Sequence, residues 1–154
     1  LHYPLRRQRQ MCIRDSGYYN AKAEKLKIFA EWFKERFNDS LESMFAEETD
    51  LLRSELLEIK GIGEETADSI LLYAGSKPVF VIDAYTRRII ERIGIEPHGT
   101  KYTDYRKLFM SSLPPDTQMF NEYHALLVNH GKFVCKKTPE CPACCLADIC
   151  KTAS

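Results

Sequence analysis

Five of the six cysteines lie in a short stretch near the C-terminus, at a spacing that suits metal binding. Cys135, Cys141, Cys144 and Cys150 follow the pattern C-x5-C-x2-C-x5-C. Thiols clustered in this way indicate a metal ion or an iron–sulfur cluster rather than a disulfide framework. Four thiolates suit zinc as well as an iron–sulfur cluster, so both remain open. Cys145 offers a second choice for the third ligand.

Asp83 is another residue that could do chemistry, because it lies between an apolar run at 79–82 and a helical pattern. An aspartate before a helix is a common N-cap, which accepts a hydrogen bond from a backbone N–H of the first turn. A carboxylate at the edge of an apolar wall can also stabilise a developing positive charge or activate a water molecule. The two roles are compatible, so the position of Asp83 allows both.

Gly61 and Gly63 separate two stretches of helical apolar periodicity, one ending at 56–59 and one running over 67–74. Glycines allow a tight turn here because they adopt positive φ without steric cost. The helix that follows would present unpaired N–H groups to an anion, and phosphate is the obvious anion. Many helix–turn–helix corners also carry glycines only because the geometry of the turn requires them, without binding an anion.

The elements that position these residues are all predicted to be helices or connections. Helices are predicted over residues 20–37, 40–45, 50–59, 83–93, 102–113 and 119–130, with a further helix after Gly63 that ends at Lys77-Pro78. Residues 79–82 have no apparent partner strand and are predicted to be a buried extended link. Gly94 and Gly131 are predicted to end the helices that precede them. The predicted fold class is therefore all-α.

The hairpin, the aspartate and the cysteines together resemble the endonuclease III branch of the helix-hairpin-helix DNA glycosylases, over a span from about Gly17 to Cys150. The resemblance implies a partial helical-barrel domain at 17–78 and a helical iron–sulfur domain at 79–154. Asp83 would drive cleavage of the N-glycosidic bond. Cys135, Cys141, Cys144 and Cys150 would hold a [4Fe–4S] cluster, with Cys144 preferred to Cys145 because it keeps the family's last two spacings. The residues implied to contact DNA are Lys60, Gly61, Ile62, Gly63 and Thr66 of the hairpin, and Lys136 and Lys137 between the first two cysteines.

Two features depart from the family pattern. Bifunctional members carry a lysine at the position of Glu65, and its amine attacks the sugar to give a Schiff base. A carboxylate cannot do this, so the resemblance implies a monofunctional glycosylase; residues 63–67 look like the subgroup that acts on alkylated purines. The resemblance also places Glu65 with Asp83 among the catalytic-site residues, although an acid in the first turn is also favoured by the helix dipole. The first cysteine gap is one residue shorter than usual, which a flexible loop can absorb.

The main hypothesis is a base-excision-repair DNA glycosylase that acts as a monomer on double-stranded DNA containing a damaged base. One alternative is a bifunctional glycosylase and AP lyase that uses another lysine, for example Lys60. An alternative of another class is a non-catalytic DNA-binding module with a structural metal. His124 and His130 lie off a shared helical face and are assigned to packing or capping, not to metal binding.

Residues 1–16 do not look like the rest of the chain, because 6–16 match the translation of a sequencing-library adapter. The natural sequence is expected to begin near Gly17, in a truncated gene fragment. The alternative is a basic arm that contacts DNA. Since about the first third of a family member is missing, the damaged base cannot be predicted. The missing helices would have covered the apolar side of the barrel, so Leu26, Phe29, Phe33 or their neighbours are expected to be unusually exposed.

Charge and hydropathy exclude some classes of protein. Residues 1–16 hold four of the 22 basic and one of the 22 acidic residues, which leaves 18 and 21, a formal net charge of −3. No overall positive field supports DNA binding, so that prediction rests on local features. The sequence contains no apolar run of about eighteen residues, so no membrane span is predicted. No secretory signal is visible and the cysteines are clustered, so a cytoplasmic location is predicted.

Overall fold

The computed structural model describes residues 19–153, and the predicted adapter segment at 1–16 lies outside them. The helices are α1 (Tyr19–Phe37), α2 (Leu41–Ala46), α3 (Thr49–Glu58), α4 (Glu64–Ser69), α5 (Ala84–Ile93), α6 (Tyr102–Ser112) and α7 (Thr117–Phe133). A π-helical turn at Ile70–Ala74 continues α4, and two short 3-10 turns follow α7 at Cys141–Ala143 and Ala147–Ile149. Within residues 19–153 there is no strand, which confirms the predicted all-α class. None of these helices is long and apolar enough to cross a lipid bilayer.

The chain divides into two compact units, the first ending at Gly63 and the second beginning at Glu64. The division between domains that the sequence predicts, between residues 78 and 79, stays a prediction.

The first unit buries one side of α1, α2 and α3 in a small apolar core. Its buried side chains are Phe37, Met44, Leu52, Leu56 and Ile59. Ser40 caps α2 through a hydrogen bond from the Ser43 N–H, and Glu48 caps α3 in the same way. Short helices such as these need both caps and core, because helix propensity alone does not hold them.

The apolar stripe of α1 is only partly covered. Leu26 is 58% exposed, and Phe29 and Phe33 are half-buried. The rings of Phe29, Phe33 and Phe37 follow one another along the helix, with the first two stacked at 6.2 Å. The predicted exposure on this stripe is confirmed at Leu26.

The second unit is built around the extended link at residues 79–82. Each of these four side chains is at most 1% exposed, so the prediction of a buried extended link is confirmed. Phe80 stacks on Phe109 of α6 with ring centroids 4.0 Å apart, and it meets Phe120 of α7 edge-on at 5.4 Å. Burying one phenylalanine fully contributes about 1.5–3 kcal/mol, so this cluster anchors the segment that leads into Asp83.

Gly131 does not end α7 as predicted. The helix continues to Phe133 and is capped by Val134. A Cβ atom at Gly131 would lie 2.7 Å from Cβ and Cδ1 of Tyr85, closer than side-chain atoms pack. The Arg88 guanidinium also donates a hydrogen bond to the Gly131 carbonyl over 2.7 Å. The glycine therefore lets α5 and α7 approach closely, a role that its sequence neighbours do not reveal.

Candidate functional site

The hairpin turn uses only one glycine for its backbone conformation. Gly61 has φ +99°, in the left-handed region, and the aliphatic chain of Lys25 covers it. Gly63 does not have positive φ, so the tight turn that the two glycines were expected to allow takes the left-handed conformation at Gly61 alone. A Cβ atom added at Gly63 would meet nothing within 4 Å. Its backbone is thus open to close approach by another molecule.

The polar side chains near the turn face solvent. The ammonium of Lys60 pairs with the Glu24 carboxylate over 2.9 Å, and both side chains are well exposed. The hydrogen bond and charge of Lys60 lower the pKa of Glu24. Glu65 and Thr66 are exposed in the first turn of α4, and Ile62 is half-buried. An exposed ion pair is weak, so Lys60 can exchange Glu24 for another anion at little cost.

Asp83 is the N-cap of α5, as its position before the helix predicted. Its Oδ1 accepts a hydrogen bond of 2.7 Å from the backbone N–H of Thr86. Asp83 is only 9% exposed, and Thr86 is fully buried. The buried link at 79–82 and the cap together hold this carboxylate in one orientation.

His124 of α7 lies beside Asp83. Its Nε2 atom is 3.7 Å from Oδ2 of Asp83, within ion-pair distance but too long for a hydrogen bond. On the other side of the ring, Nδ1 makes a short hydrogen bond with the Tyr73 hydroxyl. Tyr73 belongs to the π-helical turn, in which the Gly75 N–H donates to the Ile70 carbonyl over 3.0 Å. Such turns shift side chains out of α-helical register, and they occur often at functional sites.

The surroundings favour the charged form of Asp83. Burial acts to raise the pKa of Asp83, but His124 and the Thr86 N–H outweigh it, so the pKa lies below its usual range. Burial, followed by the charge of Asp83, raises the pKa of Tyr73. Tyr73 therefore stays a neutral phenol near pH 7, and Asp83 is a carboxylate.

The four predicted cysteine ligands line one cavity of about 20 Å³. Cys135 is buried, Cys141, Cys144 and Cys150 are half-buried, and Cys145 is exposed and outside the lining. This arrangement favours Cys144 over Cys145. Four thiols are the donor set that an iron–sulfur cluster takes. Across residues 19–153, however, no group of three or more histidine, cysteine or acidic residues is arranged to hold a metal ion.

Two arginines of α5 organise the chain around this cavity. Arg88 donates to the Cys135 carbonyl over 2.8 Å, and Arg92 donates to its Sγ over 3.3 Å. Arg92 also donates to the carbonyls of Lys136 and Lys137. The side chain of Lys136 pairs with Glu140 on the surface, and Lys137 is exposed.

Sequence reasoning missed Tyr73 and Arg92 and gave His124 only a packing role. Nothing near Tyr73 or Arg92 in the sequence marks them, since their partners come from distant segments. His124 carried a weak signal, because a histidine on the buried face of a helix needs a polar partner. Nε2 of His130 lies 3.5 Å from Sγ of Cys144, so the ring of His130 faces one of the predicted cysteine ligands.

Two of three comparisons with known proteins found similar sequences or structures. No family model matches the chain. It is 42% identical to a protein of Methanocaldococcus jannaschii whose name provisionally describes a DNA repair glycosylase, over 90% of this chain and 63% of that one. It is 36% identical to endonuclease III of Sulfolobus acidocaldarius, over 90% of this chain and 60% of that one. The chain thus spans less than two thirds of the length of these relatives.

Solved structures of an endonuclease III and of a DNA glycosylase resemble this fold. An endonuclease III trapped as a covalent intermediate with DNA superposes with a TM-score of 0.74, at 23% identity, over 91% of this chain and 62% of that one. A 3-methyladenine DNA glycosylase of H. pylori, bound to 1,N6-ethenoadenine, superposes with a TM-score of 0.64 at 31% identity, over 79% of this chain and 60% of that one.

The fold is therefore that of the helix-hairpin-helix glycosylases. By sequence, the chain is similar to endonuclease III.

Proposed function

We propose that this chain removes a damaged base from double-stranded DNA by cleaving its N-glycosidic bond. The observation that carries the proposal is the state of Asp83. Its carboxylate is 9% exposed, capped by a backbone N–H and held beside an imidazole. An ionised carboxylate fixed in a nearly dry site is what the chemistry requires, and the relatives are glycosylases and endonuclease III.

The chemistry asks for an anion beside the sugar. A base in the duplex must first be flipped out so that its glycosidic bond can be reached. As that bond breaks, positive charge develops on the sugar, and a pre-oriented carboxylate stabilises it without reorganisation. Oδ1 of Asp83 is already used by the Thr86 N–H, so Oδ2 would face the sugar or an attacking water molecule.

The hairpin and the cysteine loop would bind the DNA backbone. Gly63 leaves its backbone open to a phosphate, and Thr66 is exposed in the next helix. Lys60 can release Glu24 to pair with a phosphate, since both side chains are exposed. Lys137 is exposed beside Lys136 and would make a similar contact. Gly61 and Ile62 would shape the turn and contribute backbone contacts.

The four cysteines Cys135, Cys141, Cys144 and Cys150 would hold a [4Fe–4S] cluster. When bound, it would cross-link the chain between residues 135 and 150 and so stiffen the loop that carries Lys136 and Lys137. The five free cysteines within residues 19–153 favour a reducing compartment, and with a DNA substrate we propose a cytoplasmic monomer.

Glu65 makes the proposed enzyme monofunctional. Strand cleavage by β-elimination needs an amine that forms an imine with the opened sugar. The family's position for that amine holds Glu65, whose exposed carboxylate can shape the surface but cannot form an imine. The damaged base would be an alkylated purine, by analogy with the glycosylase that is seen bound to ethenoadenine.

The test is a single-turnover assay on duplexes that each hold one damaged base, including 1,N6-ethenoadenine and 3-methyladenine. Excision is detected by strand cleavage after alkali, and DNA binding is measured in parallel by fluorescence anisotropy. Asp83→Asn is the inactive control. Binding without excision of any base would support the non-catalytic DNA-binding module instead.

A borohydride experiment distinguishes the two glycosylase mechanisms. The wild-type protein should leave the DNA backbone intact until alkali is added, and borohydride should trap no covalent complex. Efficient trapping would identify another amine as nucleophile. Lys60→Gln would then test the most exposed candidate of the hairpin.

A further inference from the structure

Tyr73, His124 and Asp83 form a connected chain of polar groups within the second unit. His124 is 7% exposed, and its ring lies between the Tyr73 hydroxyl and the Asp83 carboxylate. The ring of Phe80 packs edge-on against it, with centroids 6.5 Å apart. Among the described residues, Nε2 of His124 is a buried atom with no hydrogen-bond partner, and Oδ2 of Asp83 is the acceptor that it faces.

The partners of the ring determine where its proton lies. A neutral imidazole carries one N–H, and its other nitrogen is an acceptor. A neutral Tyr73 hydroxyl can donate to Nδ1, which leaves the proton on Nε2, directed at Asp83. If the ring is charged, both nitrogens carry protons, and Nε2 again carries one on the side of Asp83. In either state Nε2 is protonated.

The contact affects the oxygen that the proposed chemistry uses. Oδ1 of Asp83 is held by the Thr86 N–H, and Oδ2 is the oxygen that faces His124. A donor beside Oδ2 favours the carboxylate over the carboxylic acid, against the effect of burial. Without that donor, Asp83 would keep its helix cap and its burial but lose the group that holds it ionised.

We propose that Tyr73 and His124 are positioning residues, with Tyr73 directing the Nε2 proton of His124 at Asp83 so that the carboxylate stays ionised and oriented for glycosidic bond cleavage. This inference rests on the proposed function for its purpose. The Tyr73–His124–Asp83 chain itself can be tested without any activity.

The first measurement uses the 154-residue chain with 15N-labelled imidazole rings, prepared anaerobically. Nε2 of His124 should be protonated over a range from about pH 5 to pH 8. A ring that carries its only proton on Nδ1 would overturn the proposal. This measurement needs no variant, so a folding defect cannot confuse it.

The second measurement follows the Asp83 carboxyl by 13C NMR as the pH is lowered. In His124→Leu the titration midpoint of Asp83 should rise by about one unit or more, because a charged partner of this kind shifts a carboxyl by about 1–3 units. Tyr73→Phe should raise it less, since the ring remains but loses the hydroxyl that orients its proton. His98→Leu, in an exposed loop, is the matched control and should leave the midpoint unchanged.

An Asp83 midpoint that is the same in wild type and in a folded His124→Leu would refute the positioning role. If His124→Leu does not fold, Tyr73→Phe decides the question, because Tyr73 is 45% exposed and its ring is kept. An unchanged midpoint in that variant would then refute the role.

Where excision is measurable, the acidic limb of the rate against pH should move upward in His124→Leu, in step with the NMR midpoint. A purely structural role for His124 would lower the folded fraction without moving that limb. If no base is excised by the wild type, the proposed function fails, yet the two NMR measurements still decide whether the chain of contacts exists.

Discussion

Replacing Asp83 in two ways separates its role as a helix cap from its role as an anion. Asp83→Asn would keep an oxygen that accepts the Thr86 N–H, which now lies 2.7 Å from Oδ1, and asparagine caps helices as well as aspartate does. Asp83→Ala would lose this bond, at a cost of about 1 kcal/mol. For a domain of about 60–100 residues that corresponds to roughly 4–8 °C in Tm. Asp83→Asn should therefore keep the cap and lose only the contribution of the charge, and Asp83→Ala should lose both and melt several degrees below Asp83→Asn.

The effect on catalysis should follow a different order. Both variants remove the negative charge, and loss of one group that stabilises a developing charge costs about 10²–10³ in rate. Excision should thus fall by a similar factor in Asp83→Asn and Asp83→Ala, while DNA affinity changes little because the hairpin is untouched. The assay is single-turnover excision beside thermal melting by circular dichroism. An Asp83→Asn protein that excises its base at the wild-type rate would refute the catalytic role.

The remaining predictions concern acid stability, helix packing and the cysteines. Because the folded-state pKa of Asp83 lies below its ordinary value of 3.8, its charge stabilises the fold above that value. This contribution should be lost as the pH falls through the folded pKa. In urea unfolding at a series of pH values, the free energy of unfolding should therefore fall less towards acid pH in Asp83→Asn than in the wild type. Gly131→Ala should lower the free energy of unfolding, because its Cβ would lie 2.7 Å from the Tyr85 side chain. Overpacking of this kind costs about 1–3 kcal/mol, and the higher helix propensity of alanine offsets part of that cost. The double variant with Tyr85→Gly, which removes the Cβ atom as well as the ring, should recover part of that loss in urea unfolding, and additive losses would contradict the steric cause. Anaerobically prepared protein should be brown, with Cys145→Ser keeping its visible absorption and Cys144→Ser losing it; stoichiometric zinc in a colourless sample would rule out the cluster.

Local signals in the sequence were enough for the helices and for the cap of the candidate site. Asp83 and Gly94 act through bonds to residues within a few positions, so their roles follow from their neighbours. The buried link at 79–82 could be predicted as well, since a short apolar run with no partner strand must be covered by helices. The spacing of the cysteines predicted that they act together, and the structure places all four around one cavity.

Other features depended on segments that meet only in the folded chain. Gly131 has a helical backbone, and only the approach of Tyr85 explains why it is glycine. Gly63 shows the reverse case, because a glycine in a turn predicts positive φ but the fold does not use it. A residue type limits the conformations that are possible, and tertiary packing selects among them.

The amino-acid sequence by itself determined the all-α class, the similarity to endonuclease III and the role of Asp83 as a helix N-cap. Only the tertiary structure brought Tyr73 and His124 to that carboxylate, from a π-helical turn and from α7. The physical reason is that a hydrogen bond between distant segments depends on how helices pack around a shared core. The apolar pattern of one helix predicts which of its faces is buried, but it does not predict which side chain of another helix packs against that face.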